Sequence, residues 1–158
     1  MQQMKYATVG PISEGTLKTE DLLDAFAWEL EYHVEHNFDS LAPLNIFRYA
    51  KLCGEAEAFA HADAQDEEYK SETLSKLCDA LSEFASDYMY FGTPEGDGAC
   101  FGFWIDQTML DEANALRVSD TSEVPSDFSG EVLHTNDHGN ITLYTADHGK
   151  LIEVWSVV

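Results

Sequence analysis

EVLHTNDHGNITLYTADHGKLIEVWSV, residues Glu131 to Val157, is the stretch that decides the fold. Residues 131–135, 141–145 and 151–157 are short runs rich in β-branched and aromatic side chains, the composition of strands. Between them stand Asn136-Asp137-His138-Gly139-Asn140 and Asp147-His148-Gly149-Lys150. Their Asn, Asp and Gly accept the left-handed backbone of a tight reversal. The run predicts a three-stranded antiparallel meander.

Upstream, residues 88–91 and 100–105 are predicted strands joined by the turn-rich stretch 92–98. Phe101 and Phe103 alternate with Gly102 and Trp104, which predicts a sheet covered on both faces or a bulge at Gly102. A short helix is expected over 107–116 and a linker loop around Pro125 over 119–130.

The first half has a different period. Leu22, Leu23, Phe26, Ala27, Leu30 and Val34 recur at helical spacing, with Thr19 as N-cap and acids in the first turn, predicting a helix over 20–36. Pro43 fits the first turn of a second helix carrying Leu44, Phe47, Ala50, Leu52, Ala56 and Phe59. Its apolar residues lie nearly all round, the mark of a central, most buried helix, and Gly54 is a point of weakness or a break. Residues 61–69 read as a polar loop, and Ser71 as the cap of a third helix that carries Leu74, Leu77, Leu81 and Phe84.

The expected fold is therefore α+β: about three N-terminal helices packed on an antiparallel sheet that ends in the C-terminal meander. The 158 residues fit one domain, 1–158, with a helical half over about 19–88 and a β-rich half over about 88–158; two small subdomains are the variant of that reading. A hydrophobic fraction of 44% and an aromatic fraction of 12% exclude a disordered acidic tail. Residues 1–14 lack a basic-then-apolar leader, and no apolar run has the length of a membrane span, so a cytoplasmic protein is expected. Cys53, Cys78 and Cys100, without a CxxC pair, read as reduced thiols.

Charge is the strongest functional signal. Thirty acidic residues face eight basic ones, a formal charge of -22. Residues 20–47 hold seven acids and no Lys or Arg, and residues 77–116 hold eight acids and none. Such a chain repels nucleic acid and anionic membranes and is attracted to basic surfaces. At 100° per residue, Glu20, Asp24, Glu31 and Glu35 fall within about 60° of arc. Neighbours four apart are about 6 Å apart along the axis, the order of a phosphate spacing. Asp79, Glu83 and Asp87 form a second stripe, interrupted by Lys76. Trp28 and Tyr32 lie outside the apolar arc, beside the first stripe, as aromatics do at interface hot spots. A solvated, solubilising face is the simpler explanation of either stripe alone.

Glu29, His33 and His36 share one helical face and offer an N,N,O donor set for a divalent transition metal, although His-Val-Glu-His is not the HExxH of zinc proteases. The two Asp-His-Gly repeats belong to successive turns of a meander and so to opposite ends of the sheet. No Walker A, GxGxxG, GxSxG or Cys-His nucleophile pattern is present, which leaves no nucleophile or base to name.

The runs GDGACFGFW (96–104) and GEVLHTNDHGNITLY (130–144) resemble stretches in small uncharacterised proteins of phages and prophages. The resemblance covers about the second half of the chain. It implies a mobile-element context and carries no functional residue with it.

The expected function is that of a non-enzymatic, phage-type acidic inhibitor, in the host cytoplasm and without cofactor. It would mimic the charge of nucleic acid and bind the basic groove of a nucleic-acid-binding defence protein of restriction or CRISPR type. Its contact residues would be Glu20, Asp24, Trp28, Glu31, Tyr32, Glu35, Asp79, Glu83 and Asp87. The alternatives are a small metal-binding protein using Glu29, His33 and His36, and a soluble interaction or virion-accessory module.

Overall fold

A computed structural model of the chain describes residues 4–61 and 67–157. It is an α+β protein whose chain divides into two compact units, Met1–Trp104 and Ile105–Val158.

The first unit is built from three helices and a three-stranded sheet. In chain order these are β1 (Gly10–Ser13), α1 (Thr19–His36), α2 (Pro43–Ala60), α3 (Glu67–Ser82), β2 (Met89–Gly92) and β3 (Phe101–Ile105). The sheet order is β1-β3-β2, with β1 antiparallel to β3. The three helices pack on one another, and α1 and α3 also meet the sheet, at β1 and β2.

α1 shows why its sequence folds this way. Leu22, Leu23, Phe26, Ala27, Leu30 and His33 are buried, and every exposed residue lies on the opposite arc. Phe26 is fully buried and stands edge-on to Phe91 and Phe101, with ring centroids 5.1 and 5.3 Å away. Phe91 in turn meets Phe103 at 5.1 Å. This aromatic cluster is the seam between helix and sheet. Removing one such ring costs about 3–5 kcal/mol in a well-packed core.

Gly102 is where β1 lies closest to β3. It pairs with Pro11, and the register slips between Pro11 and Ser13, so the predicted bulge is present but sits on β1. A Cβ on Gly102 would stand 2.7 Å from the Pro11 Cα and closer still to the Gly10 carbonyl oxygen. Glycine is required here by close approach rather than by backbone conformation.

The second unit contains α4 (Gln107–Glu112), β4 (Leu116–Val118), β5 (Gly130–Thr135), β6 (Ile141–Asp147) and β7 (Lys150–Val157). The sheet order is β4-β5-β6-β7. β5, β6 and β7 form the predicted meander, and β4 adds a parallel strand beside β5. Val118, Val132 and Ala146 form one buried cluster of this sheet, with Val124, Phe128, Tyr144 and Leu151 packed around them, and Leu133, Leu143 and Trp155 are buried as well. His148 (φ 48) and Gly149 (φ 80) both have left-handed backbone, the signature of a two-residue primed turn. The preceding loop clasps this turn: Gly149 N donates to the Phe128 carbonyl at 2.8 Å, and His148 N to Ser129 Oγ at 3.0 Å.

Several expectations are corrected. There are two sheets rather than one, because β1, lying before the helices, takes the place beside β3. α2 runs unbroken through Gly54, which is exposed. It is not the most buried helix either, for Leu44 and Phe47 are 77% and 70% exposed. Thr19 is the first helical residue, preceded by Lys18 as cap. Ser71 lies inside α3, which begins at Glu67, so the expected loop shrinks; its residues 62–66 fall outside the described residues. The expected helix over 107–116 stops at Glu112, and its last predicted residue opens β4.

Candidate functional site: the outer face of α1

The outer arc of α1 carries Asp21, Asp24, Trp28, Glu31, Tyr32 and Glu35, all exposed. Trp28 is 76% exposed and Tyr32 50%. Burial of the opposite arc fixes this face outward, since a helix that buries residues 22, 23, 26, 27, 30 and 33 must turn these away. Neither Lys nor Arg stands among residues 20–47 to neutralise it along the helix.

The remaining predicted contact residues separate from this face. Glu20 turns to Lys70, whose Nζ donates to its Oε1 at 2.8 Å. The Lys70 side chain is only 1% exposed, so Glu20 and, at 3.8 Å, Glu67 are counter-ions of a buried ammonium. That hydrogen bond holds the Glu20 carboxyl below the usual range. Asp24 keeps a distant, exposed contact with His61 at 3.8 Å.

The second stripe is met by bases from elsewhere in the chain. Glu83 accepts from both Arg48 Nη2, at 3.1 Å, and the Tyr49 hydroxyl. Asp79 shares a cavity of about 400 Å³ with Arg48, Lys51, Lys76 and Glu55. Asp87 is exposed and follows α3 in the turn before β2. Bases of α2 and Lys76 thus lie beside Asp79 and Glu83, two of the eight acids in the base-free stretch 77–116. Burial, then the hydrogen bond to Glu83, pushes the Tyr49 phenol up to about 12, so it remains a donor at neutral pH.

The Glu29, His33 and His36 set does not converge. His33 is 4% exposed, its ring stacked on Phe84 at 5.1 Å, and its Nε2 donates to Glu29 at 2.9 Å. His36 points elsewhere: its Nδ1 donates to the Tyr32 carbonyl at 2.8 Å and its ring tilts over Tyr32 at 4.0 Å. Among the described residues no group of three or more His, Cys, Asp and Glu side chains is placed to hold a metal ion. The two Asp-His-Gly turns lie at opposite ends of β6.

Two grooves flank the α1 face. One, of about 420 Å³, runs between residues 8–12 and Trp28, Glu29 and Tyr32. The other, of about 340 Å³, lies between α1 and α2. Sequence reasoning missed Asp21, although the helical wheel puts it at 100° from Glu20, between Trp28 and Tyr32. It also missed exposed Phe38, Leu44 and Phe47; for the last two the signal was the all-round apolarity of α2, which was assigned to burial.

No described helix is long and apolar enough to cross a membrane. Comparison with protein-family models, with curated proteins and with solved structures finds no match to this chain, so its site rests on its own geometry.

Proposed function

We propose that this protein works by binding, not by catalysis: the outer face of α1 occupies a cationic, nucleic-acid-binding groove of another protein. The observation that carries the reading is one uninterrupted face bearing Asp21, Asp24, Glu31 and Glu35 around an indole that is 76% exposed. The carboxylates supply long-range attraction and speed encounter, and Trp28 and Tyr32 supply short-range fit. Glu20, Glu83 and Asp79 play a lesser part, because Lys70, Arg48 and the lysines around Asp79 compete for them. The partner class proposed is a host defence protein of restriction or CRISPR type, met by a phage-type inhibitor.

The test is competition. A basic DNA-binding effector holding a fluorescent duplex is titrated with this protein at low and high salt. The duplex is released, less efficiently as salt rises, and release weakens at least tenfold when Asp24→Asn, Glu31→Gln and Glu35→Gln are combined. Release unchanged by the triple substitution, or an effector that binds the protein while keeping its duplex, refutes nucleic-acid mimicry.

A further inference from the structure

We infer that the groove between α1 and α2 receives an amphipathic helical segment of the partner, apolar on the face it inserts and basic along its flank. This rests on the reading of α1 as a face for a basic protein and adds the element that the partner must present.

The groove is lined by Glu31, Val34, Glu35 and Phe38 from α1 and the turn after it, and by Ala50 and Cys53 from α2. Its floor is apolar and its α1 rim acidic. Phe38 is 59% exposed, and on α2 the row Leu44, Phe47, Ala50, Cys53 winds at every third position from the open surface into the groove. Leu44, Phe47 and Ala50, exposed on a helix already packed against α1 at Cys53, form an unfilled helix-packing surface.

Phe38 is not exposed because its turn is loose. Asn37, 2% exposed, ties the turn to both the N-terminal segment and α1. Its Oδ1 accepts from Lys5 N at 2.6 Å, and its Nδ2 donates to the Lys5 and His33 carbonyls at 2.9 and 2.8 Å. Ser40 N and Leu41 N both return to the Asn37 carbonyl. The ring is therefore held outward on a fixed backbone, a preorganised contact.

Length and charge select the occupant. From Glu31 to Phe38 the α1 side spans about 10 Å at about 1.5 Å per residue, room for two turns of a docked helix with anchors at i, i+3 or i+4, and i+7. Glu31 and Glu35 select Lys or Arg on its flank. They also disfavour a second copy of this chain, which carries a formal charge of -22.

The probe is a fluorescein-labelled synthetic 15-residue peptide with Leu at helical spacing on one face and Lys on the other, read by anisotropy against the intact protein. A second peptide has the same composition scrambled to break the apolar face. The expected result is binding of the patterned peptide at least tenfold tighter than of the scrambled one. That binding should fall at least tenfold in Ala50→Trp, which fills the groove from an exposed position, and stay unchanged in Glu153→Gln, which removes an exposed carboxylate on β7. Equal binding of both peptides overturns the groove while leaving the acidic face intact. Patterned binding that is lost in Ala50→Trp but insensitive to salt keeps the groove and removes the charge reading. Absence of binding, or a dimer in sedimentation that Ala50→Trp dissolves, overturns the inference outright.

Discussion

Replacing Gly102 by Ala tests the architecture that presents the α1 face. The added methyl meets backbone, the Pro11 Cα at 2.7 Å and the Gly10 carbonyl nearer still. Side chains can rotate away from such an intrusion; a paired strand cannot. Overpacking costs about 1–3 kcal/mol where neighbours can shift, and the upper end applies when the neighbour is backbone. A loss of about 3 kcal/mol lowers the melting temperature of a unit of this size by roughly 10–20 °C. The control is Gly54→Ala, the same chemical change in the middle of α2, where a Cβ meets nothing within 4 Å. There alanine stabilises by about 0.5–1 kcal/mol, because glycine loses more backbone freedom on folding. Thermal unfolding followed by near-ultraviolet circular dichroism reads both, and amide exchange reports whether β1 has left β3. A Gly102→Ala protein within about 0.5 kcal/mol of wild type, with β1 amides still protected, would refute the close approach of the two strands.

Gly149→Ala should destabilise the second unit by about 1–3 kcal/mol in urea unfolding, since Gly149 has φ 80 and its Cβ would lie 2.7 Å from Ser126. Tyr49 has its phenol raised in the folded state to about 12 from 10.0, so its contribution is intact below about pH 10 and is lost as pH rises from there toward 12. Alkaline unfolding midpoints should therefore fall over that window in the wild type and fall less in Tyr49→Phe. Burial pushes Cys53 up to about 12 and Cys78 up to about 11, so iodoacetamide at pH 8 should alkylate both slowly in the native protein and rapidly in urea.

What the sequence disclosed was local. The period-two runs and Asn/Asp/Gly turns located the meander almost to the residue, and the apolar arc located α1, because both patterns are written by neighbours in the chain. What it concealed was pairing at a distance. β1 is four residues with a proline and gains its identity only from β3, 93 residues later in register at Gly10 and Phe103. Lys70 looks like any surface lysine until Glu20 is brought to it across 50 residues. The surroundings of Asp79 and Glu83 were hidden in the same way: counting bases along 77–116 could not reveal that Arg48 and Lys51 arrive from α2. On α1, Glu20 is met by Lys70, whereas Asp24, Glu31 and Glu35 stand exposed on the arc opposite the buried residues.

That contrast bears on why the acids are there. Carboxylates four apart on a helix cost about 0.2–0.5 kcal/mol per pair, a small charge against stability that solubility alone can offset. Solubility does not account for Trp28. An indole offers about 150–250 Å² for burial, and at about 25 cal/mol per Å² leaving three quarters of it in water forgoes about 3–5 kcal/mol. A solvated face would be served as well by Lys, Gln or Ser at that position. Tyr32 follows one turn later, and Phe38 stands just past the end of the same helix, each at least half exposed. Single apolar residues on a surface are ordinary. A run of them along one helix, interleaved with carboxylates and held on a backbone pinned by Asn37, is the composition of a surface whose burial is completed by another molecule.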